Sequence, residues 1–89
     1  MGIKDFVPNS WKDWRDLANL IINNWDQHYG RATLHRNTLT LITGGWSENE
    51  EVQIEVEQNK YMRWAWHMSK CGGLSVYKLP TKKSFVNKV

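Results

Sequence analysis

The chain has 89 residues, with 12 lysines and arginines, 9 acidic residues, 6 tryptophans and 1 cysteine. This length is enough for one domain around one core, and a single cysteine excludes an intrachain disulfide. The sequence shows neither a signal peptide nor a long apolar run. We therefore expect a cytoplasmic protein rather than a secreted or membrane-spanning one.

Charge is segregated along the chain. Residues 44–59 contain five glutamates and no lysine or arginine, whereas residues 60–89 contain seven basic side chains and no acidic one. Residues 1–43 are nearly balanced. The formal net charge of +3 therefore hides an acidic and a basic pole.

The first predicted element is a helix over residues 11–29. Ser10 precedes it as an N-cap, and Asp13 follows three residues later, in the pattern of a capping box. Gly30 stands where a glycine typically ends a helix. The apolar residues that recur at helical spacing and predict its buried stripe are Trp11, Trp14, Ala18, Ile21 and Trp25.

Residues 31–35 and 38–43 predict two short strands joined in a hairpin. Both runs are rich in Thr and Leu, and the Arg-Asn pair between them includes an asparagine, which tolerates the left-handed conformation of a tight turn. In the second strand Leu39 and Leu41 share one face.

Two glycines at 44–45 end this strand and precede a predicted helix over residues 48–59. Ser47 with Glu50 three residues later has the capping-box pattern, and the excess of glutamates suits a helix N-terminus. Three β-branched residues alternate with polar ones over residues 52–57, which is typical of a strand. We favour the helix, with the strand as its alternative.

Residues 61–69 show the clearest alternation in the chain and predict a strand. Its apolar face would turn Trp64 and Trp66 toward the helices. The opposite face would carry Tyr61, Arg63 and His67. A helix over residues 60–70 is the alternative interpretation.

The predicted class is α+β, in the order α-ββ-α-ββ, with a small antiparallel sheet and the helices packed on one face. A turn at residues 70–73 and a strand over residues 74–79 complete the second hairpin. Residues 1–80 would form the single domain, and residues 81–89 a basic, loosely ordered tail. Five tryptophans are expected in one core, whereas Trp46 stands apart, in the glycine turn.

Residues 33–35 and 38–51, above all the run Thr43-Gly44-Gly45-Trp46-Ser47, resemble a family of small bacteriophage and prophage proteins. The later Trp66, ahead of a basic stretch ending in two glycines, belongs to the same pattern. The resemblance covers about residues 30–78. It implies a phage origin and a location inside an infected bacterium, and it implies no particular chemistry.

No catalytic, metal or cofactor site is predicted. His28, His35, His67 and Cys71 are ligand types, but no paired Cys or His motif accompanies them. No orienting or oxyanion motif surrounds Cys71 as a nucleophile. The two glycines before the acidic helix lack the lysine of a phosphate-binding loop. We therefore do not expect an enzyme.

Two contact surfaces remain as candidates. The acidic helix and the tryptophan before it would contact a host or phage protein through Trp46, Glu48, Glu51 and Glu55. The alternative is a nucleic-acid surface, because phosphates favour cations and unpaired bases stack on aromatic rings. It would consist of Tyr61, Arg63, His67, Lys70, Lys82 and Lys83. Oligomeric state stays open, since a free edge strand or exposed tryptophans would suit a dimer.

Overall fold

The computed structural model describes residues 2–70 and 73–80. Over these residues the elements are α1 (Trp11–Asn23), β1 (Arg31–His35), β2 (Thr38–Ile42), α2 (Ser47–Gln58), α3 (Lys60–Ala65), β3 (Trp66–Lys70) and β4 (Leu74–Lys78). The predicted α+β class is confirmed, with two helices rather than one between the two pairs of strands. The predicted tail at 81–89 lies outside the described residues.

The four strands form one antiparallel sheet in the order β1-β2-β4-β3. Both predicted hairpins are present, and they join through β2 and β4, where Leu39 lies opposite Tyr77 and Leu41 lies opposite Ser75. All four of these residues are buried. They mark the sheet face that packs against the helices.

The turn between β1 and β2 differs from the prediction in one detail. Arg36, rather than Asn37, adopts the left-handed conformation, with a φ of 57°. Asn37 instead holds the end of β4, because its Nδ2 donates to the Leu79 carbonyl at 3.0 Å and its own carbonyl accepts from the Leu79 N–H at 2.8 Å. The asparagine is therefore used for a long-range contact.

The core lies between the sheet and the helices. Of the predicted stripe in helix α1, Trp14, Ala18 and Ile21 are buried at helical spacing, whereas Trp11 is half-buried. Leu17, outside the predicted stripe, is buried as well. Removing each large apolar side chain of this kind from water contributes about 1.5–3 kcal/mol. The largest fully buried apolar side chains are Tyr77, Ile3, Leu17, Ile21, Leu39, Leu41, Met62 and Val56.

Helix α1 begins as predicted but ends six residues early. The Ser10 Oγ accepts from the Asp13 N–H at 3.3 Å. At the other end, the Asn24 side chain donates to the Leu20 carbonyl at 2.8 Å and satisfies part of the last turn. Trp25 still packs into the core, and its Nε1 donates to the Ile42 carbonyl at 3.0 Å. The apolar spacing therefore continues past the end of the helix itself.

Gly30 is a close-packing position and not the helix end that the sequence predicts. Its N–H donates to the Asp26 carbonyl at 3.1 Å, which closes the turn after α1. A Cβ at this position would collide with the Ile42 carbonyl and with Nδ2 of Asn49. The absence of a side chain therefore lets the turn approach both β2 and α2.

Helix α2 is confirmed, and the strand interpretation of residues 52–57 is wrong. The predicted capping box is also wrong, because the N-cap is Trp46 and Ser47 is already helical. No side chain caps this helix end; the Trp46 carbonyl accepts from the Glu50 N–H at 3.0 Å. Half of the buried side of α2 is polar, with Asn49 and Gln53 beside two valines.

The predicted strand at residues 61–69 is wrong in its first half. Residues 60–65 form α3, as in the alternative interpretation, and only the remainder is strand. The side chain of Asn59 caps α3, because its Oδ1 accepts from the Tyr61 and Met62 N–H groups. Its Nδ2 donates to the carbonyls of Ile3 and Phe6, which fixes the N-terminal segment. These long-range partners decide between helix and strand here.

The division of the tryptophans between core and surface differs from the prediction. Trp14 and Trp25 are buried, whereas Trp64 is 58% and Trp66 53% exposed. Trp64 lies on α3 with its ring centroid 6.1 Å from that of Trp14. Trp66 begins the edge strand β3. The expectation that both turn inward is wrong because Met62 and Ala65, three residues apart, form the buried side of α3.

Candidate functional site

The acidic pole is the outer face of α2. The buried stripe consists of Asn49, Val52, Gln53 and Val56, and the glutamates lie outside it. By helical geometry, Glu51, Ile54 and Gln58 follow one another along the middle of the outer face. The residues that flank them are Glu50 and Glu57 on one side and Glu48 and Glu55 on the other. Glu48 and Glu51 are exposed and Glu55 is half-buried, so this helix places all three predicted glutamates outside its buried stripe.

Ile54 is the apolar centre of this outer face. Its side chain is 52% exposed, one helical turn from glutamates on either side. In the sequence, Ile54 stands out only as one of the β-branched residues that alternate with polar ones over residues 52–57. Its exposure follows from the helix, which turns it away from the two buried valines.

An aromatic stack lies at the N-terminal end of α2. The rings of Tyr29 and Trp46 are 4.2 Å apart between centroids and inclined by 21°. Tyr29 is 52% exposed, and the Trp46 Nε1 is buried without a hydrogen-bond partner in the described part of the chain. Gly44, with a φ of 66°, lets the backbone pass against the Tyr29 carbonyl. The sequence singled out Trp46 but missed Tyr29.

Asn49 holds this end of α2 in place. It is fully buried, and its Oδ1 accepts from the Asp26 N–H at 2.7 Å. Its Nδ2 donates to the carbonyls of Asp26 at 3.0 Å and Thr43 at 3.3 Å. One side chain therefore joins the turn that carries Tyr29 to the loop that carries Trp46.

The sheet face opposite the helices is called the outer sheet face below, and it carries part of the basic pole. Its residues follow from the strand register as three cross-strand rows. The first row is Arg31, Ile42, Leu74 and Lys70; the second is Thr33, Thr40, Val76 and Met68; the third is His35, Thr38 and Lys78. None of the four strands contains an acidic residue. Lys78 belongs to the basic segment 60–89, whereas Arg31 was not among the residues predicted for a basic surface.

The predicted nucleic-acid residues do not share one sheet face. Tyr61, half-buried, and Arg63, exposed, lie on α3. His67 falls at a register shift in β3, between the pairs made by Trp66 and Met68. Lys70 ends β3, on the outer sheet face. The predicted common face is therefore wrong, because α3 replaces half of the strand; Lys82 and Lys83 lie outside the described residues.

Two of the grooves on the described part of the surface have a volume of about 270 Å³ each. The first has an apolar floor that includes Trp11 and Leu79, with the exposed Arg15 and Arg36 at its rim. The second is lined by Glu57, Arg63, Trp66 and Tyr77. Neither groove is lined by a His, Ser, Thr or Cys side chain.

The Tyr77 hydroxyl has a displaced pKa. Burial raises the pKa of this phenol above its ordinary value, opposed in part by the hydrogen bond that Gln53 Nε2 donates to it at 3.0 Å. The negative charge of Glu57 raises the pKa further. The Oε1 of Gln53 is buried and lacks a partner among the described residues.

Within residues 2–70 and 73–80, no three His, Cys, Asp or Glu side chains are grouped to hold a metal ion. The His28 ring packs edge-on against Tyr29, with 4.8 Å between centroids. Cys71 is not among the described residues. The same part of the chain contains no helix with the length and apolar character needed to cross a bilayer.

Comparison of the chain with models of protein families, with curated proteins and with solved structures finds no match.

Proposed function

We propose that this chain is a non-enzymatic protein-binding module, a phage-type accessory protein that acts inside the bacterial host cell. Its contact surface is the outer face of α2 with the Tyr29–Trp46 stack. The observation that supports this proposal is the exposure of Ile54 in the middle of a helix face that carries five glutamates and no cation.

About half of the Ile54 side chain stays in contact with water in the isolated domain. Burying the rest of Ile54 against a partner would add part of the 1.5–3 kcal/mol that full burial of such a side chain provides, in rough terms. The surrounding glutamates would raise the association rate and exclude acidic partners. The expected partner is a protein with an apolar pocket bordered by lysine or arginine side chains.

The stack adds aromatic area beside this face. Tyrosine and tryptophan are enriched among the residues that dominate binding energy, because they bury much surface at little cost in side-chain entropy. The Trp46 Nε1 has no hydrogen-bond partner among the described residues, and a rotation of the ring that exposes it would let it donate to a partner carbonyl.

The test uses a charge reversal with a matched control. Partners are captured from host lysate on immobilised protein, identified by mass spectrometry, purified, and their affinities measured by calorimetry. Glu51→Lys is compared with Asp16→Lys, which makes the same charge change at an exposed position of α1. We expect Glu51→Lys and Ile54→Ser each to weaken binding about tenfold or more, with Asp16→Lys near wild type. A partner that binds all four proteins equally would contradict the proposal.

Nucleic acid is the second candidate ligand. It is favoured by the absence of acidic residues from α3 and from all four strands. Fluorescence anisotropy with single-stranded DNA, measured over a salt series, would show affinity falling with salt and further weakened by Arg63→Ala. The absence of DNA binding at low salt would contradict nucleic acid as a ligand.

A further inference from the structure

The outer sheet face has a distinct layout of charge and apolar surface. Ile42, Leu74, Val76 and Met68 form a half-buried aliphatic patch on neighbouring strands. Arg31 and Lys70 are exposed at the two ends of the first cross-strand row, and Lys78 is exposed in the third. The patch is therefore bordered by cations, and no strand supplies an acid to neutralise them.

The outer face of α2 matches this layout with the opposite charge. It presents one exposed aliphatic side chain, Ile54, bordered by glutamates, and the helix carries no lysine or arginine. A twelve-residue helix is about 18 Å long. Five-residue strands are about 17 Å long, and four of them span roughly 15–20 Å. One helix of this size therefore fits across the patch.

The two surfaces lie on opposite sides of the domain. Helix α2 buries its other side in the core, on the side of the sheet that carries Leu39 and Tyr77. Its outer face therefore points away from the sheet, and the outer sheet face points the other way. One molecule cannot bring them together, and two molecules joined by one such contact still have one free surface of each kind.

We propose that the outer face of α2 in one copy docks on the outer sheet face of a second copy. The contact is head-to-tail, so it extends to a third copy instead of closing as a symmetric dimer. This inference rests on the proposed function and names the chain itself as a partner of α2. The contact is small, below about 1,200 Å² in total, so assembly requires high protein concentration and weakens with added salt.

Two variants, each disabling one surface, test this geometry by sedimentation velocity. Glu51→Lys with Ile54→Lys removes the helix surface, and Lys70→Glu with Lys78→Glu removes the sheet surface. All four positions are exposed, and circular dichroism with urea unfolding verifies that both variants are folded. Wild type is expected to form a concentration-dependent series of species at low salt. Each variant alone is expected to be monomeric.

The equimolar mixture of the two variants gives the decisive result. The first variant retains an intact sheet surface and the second an intact helix surface, so together they form one contact. We expect a 1:1 dimer and no larger species. A mixture that stays monomeric, or variants that each assemble as wild type does, would overturn the inference.

The outcome also separates this inference from the proposed function. A monomeric wild type whose other protein partner is still lost on Glu51→Lys overturns self-assembly and leaves the proposed function standing. Self-assembly of wild type that is lost in each of the two variants, with no other partner found, supports the inference. If wild type is monomeric and the Lys70→Glu variant loses binding to single-stranded DNA, the sheet face is assigned to nucleic acid and the inference is overturned.

Discussion

The Asn49 carboxamide binds both backbone groups of Asp26, accepting from its N–H at 2.7 Å and donating to its carbonyl at 3.0 Å. The two residues are 23 apart in the sequence. A buried asparagine thus supplies hydrogen-bond partners to backbone groups that lie outside any helix or strand. The position of Tyr29 over Trp46 depends on this contact, because Asp26 begins the turn and Asn49 belongs to the first turns of α2.

We expect Asn49→Ala to reduce the free energy of unfolding by about 2–4 kcal/mol, since it leaves the Asp26 N–H without its partner and removes one of the two hydrogen bonds that the Asp26 and Thr43 carbonyls each accept. Urea unfolding followed by circular dichroism measures the loss. Asn19→Ala, at an exposed position of α1, is the control and is expected to change stability by less than about 0.5 kcal/mol. Equal stabilities of the two variants would argue that Asn49 has no structural role.

Gly30→Ala is expected to destabilise the protein by about 1–3 kcal/mol, because the new methyl group collides with the Ile42 carbonyl and Asn49. The matched variant is Gly2→Ala, where the added methyl group meets nothing within 4 Å. The difference between their thermal midpoints measures the effect. Similar midpoints would mean that the turn after α1 is looser than the structure indicates.

Trp25 and Trp66 form a second matched pair, because each donates one hydrogen bond from Nε1, but only Trp25 is buried. We expect Trp25→Phe to cost about 1–3 kcal/mol and Trp66→Phe less than about 0.5 kcal/mol. Unfolding is monitored by far-ultraviolet circular dichroism, since both changes remove a fluorophore. A Trp66→Phe loss as large as that of Trp25→Phe would contradict the exposed position of Trp66.

Tyr77 is expected to make stability fall at alkaline pH. The pKa of its phenol is raised in the folded state, so above about pH 10 the unfolded chain loses this proton first. The stabilisation is complete below that pH and is lost as pH rises toward the folded-state pKa. Tyr77→Phe lacks this proton, and its stability should decline less between pH 9 and 11. Parallel curves for the two proteins would contradict the raised pKa.

The candidate site could be predicted in part. The glutamate-rich segment of residues 48–59 indicated a helix, and helical periodicity places Glu48 and Glu51 on its exposed side. Tyr29 could not be found in this way, because the turn that brings it to Trp46 is closed by Asn49 from a later element. Nor could the outer sheet face, since its rows depend on the register between β2 and β4, which are separated by two helices.

Two failures of the sequence interpretation have one physical origin. Trp25 continues the apolar spacing of α1 although the helix has ended, because a side chain in the following turn can reach the same core. Residues 61–69 alternate like a strand, yet half of them are helical because Asn59 caps α3 while bound to Ile3 and Phe6. In both places packing or hydrogen bonding between distant segments outweighs the local pattern.

The sequence by itself determined the α+β class, the two hairpins, α2 and the separation of charge, since these follow from local periodicity, turn residues and composition. Only the tertiary structure decided where α1 ends, that α3 exists, and which tryptophans are buried. Those features depend on hydrogen bonds and packing between residues tens of positions apart, which leave no periodic trace in the chain. The tertiary structure also decided that the acidic face of α2 and the basic sheet face lie on opposite sides of the domain, because the other side of each element packs on the shared core.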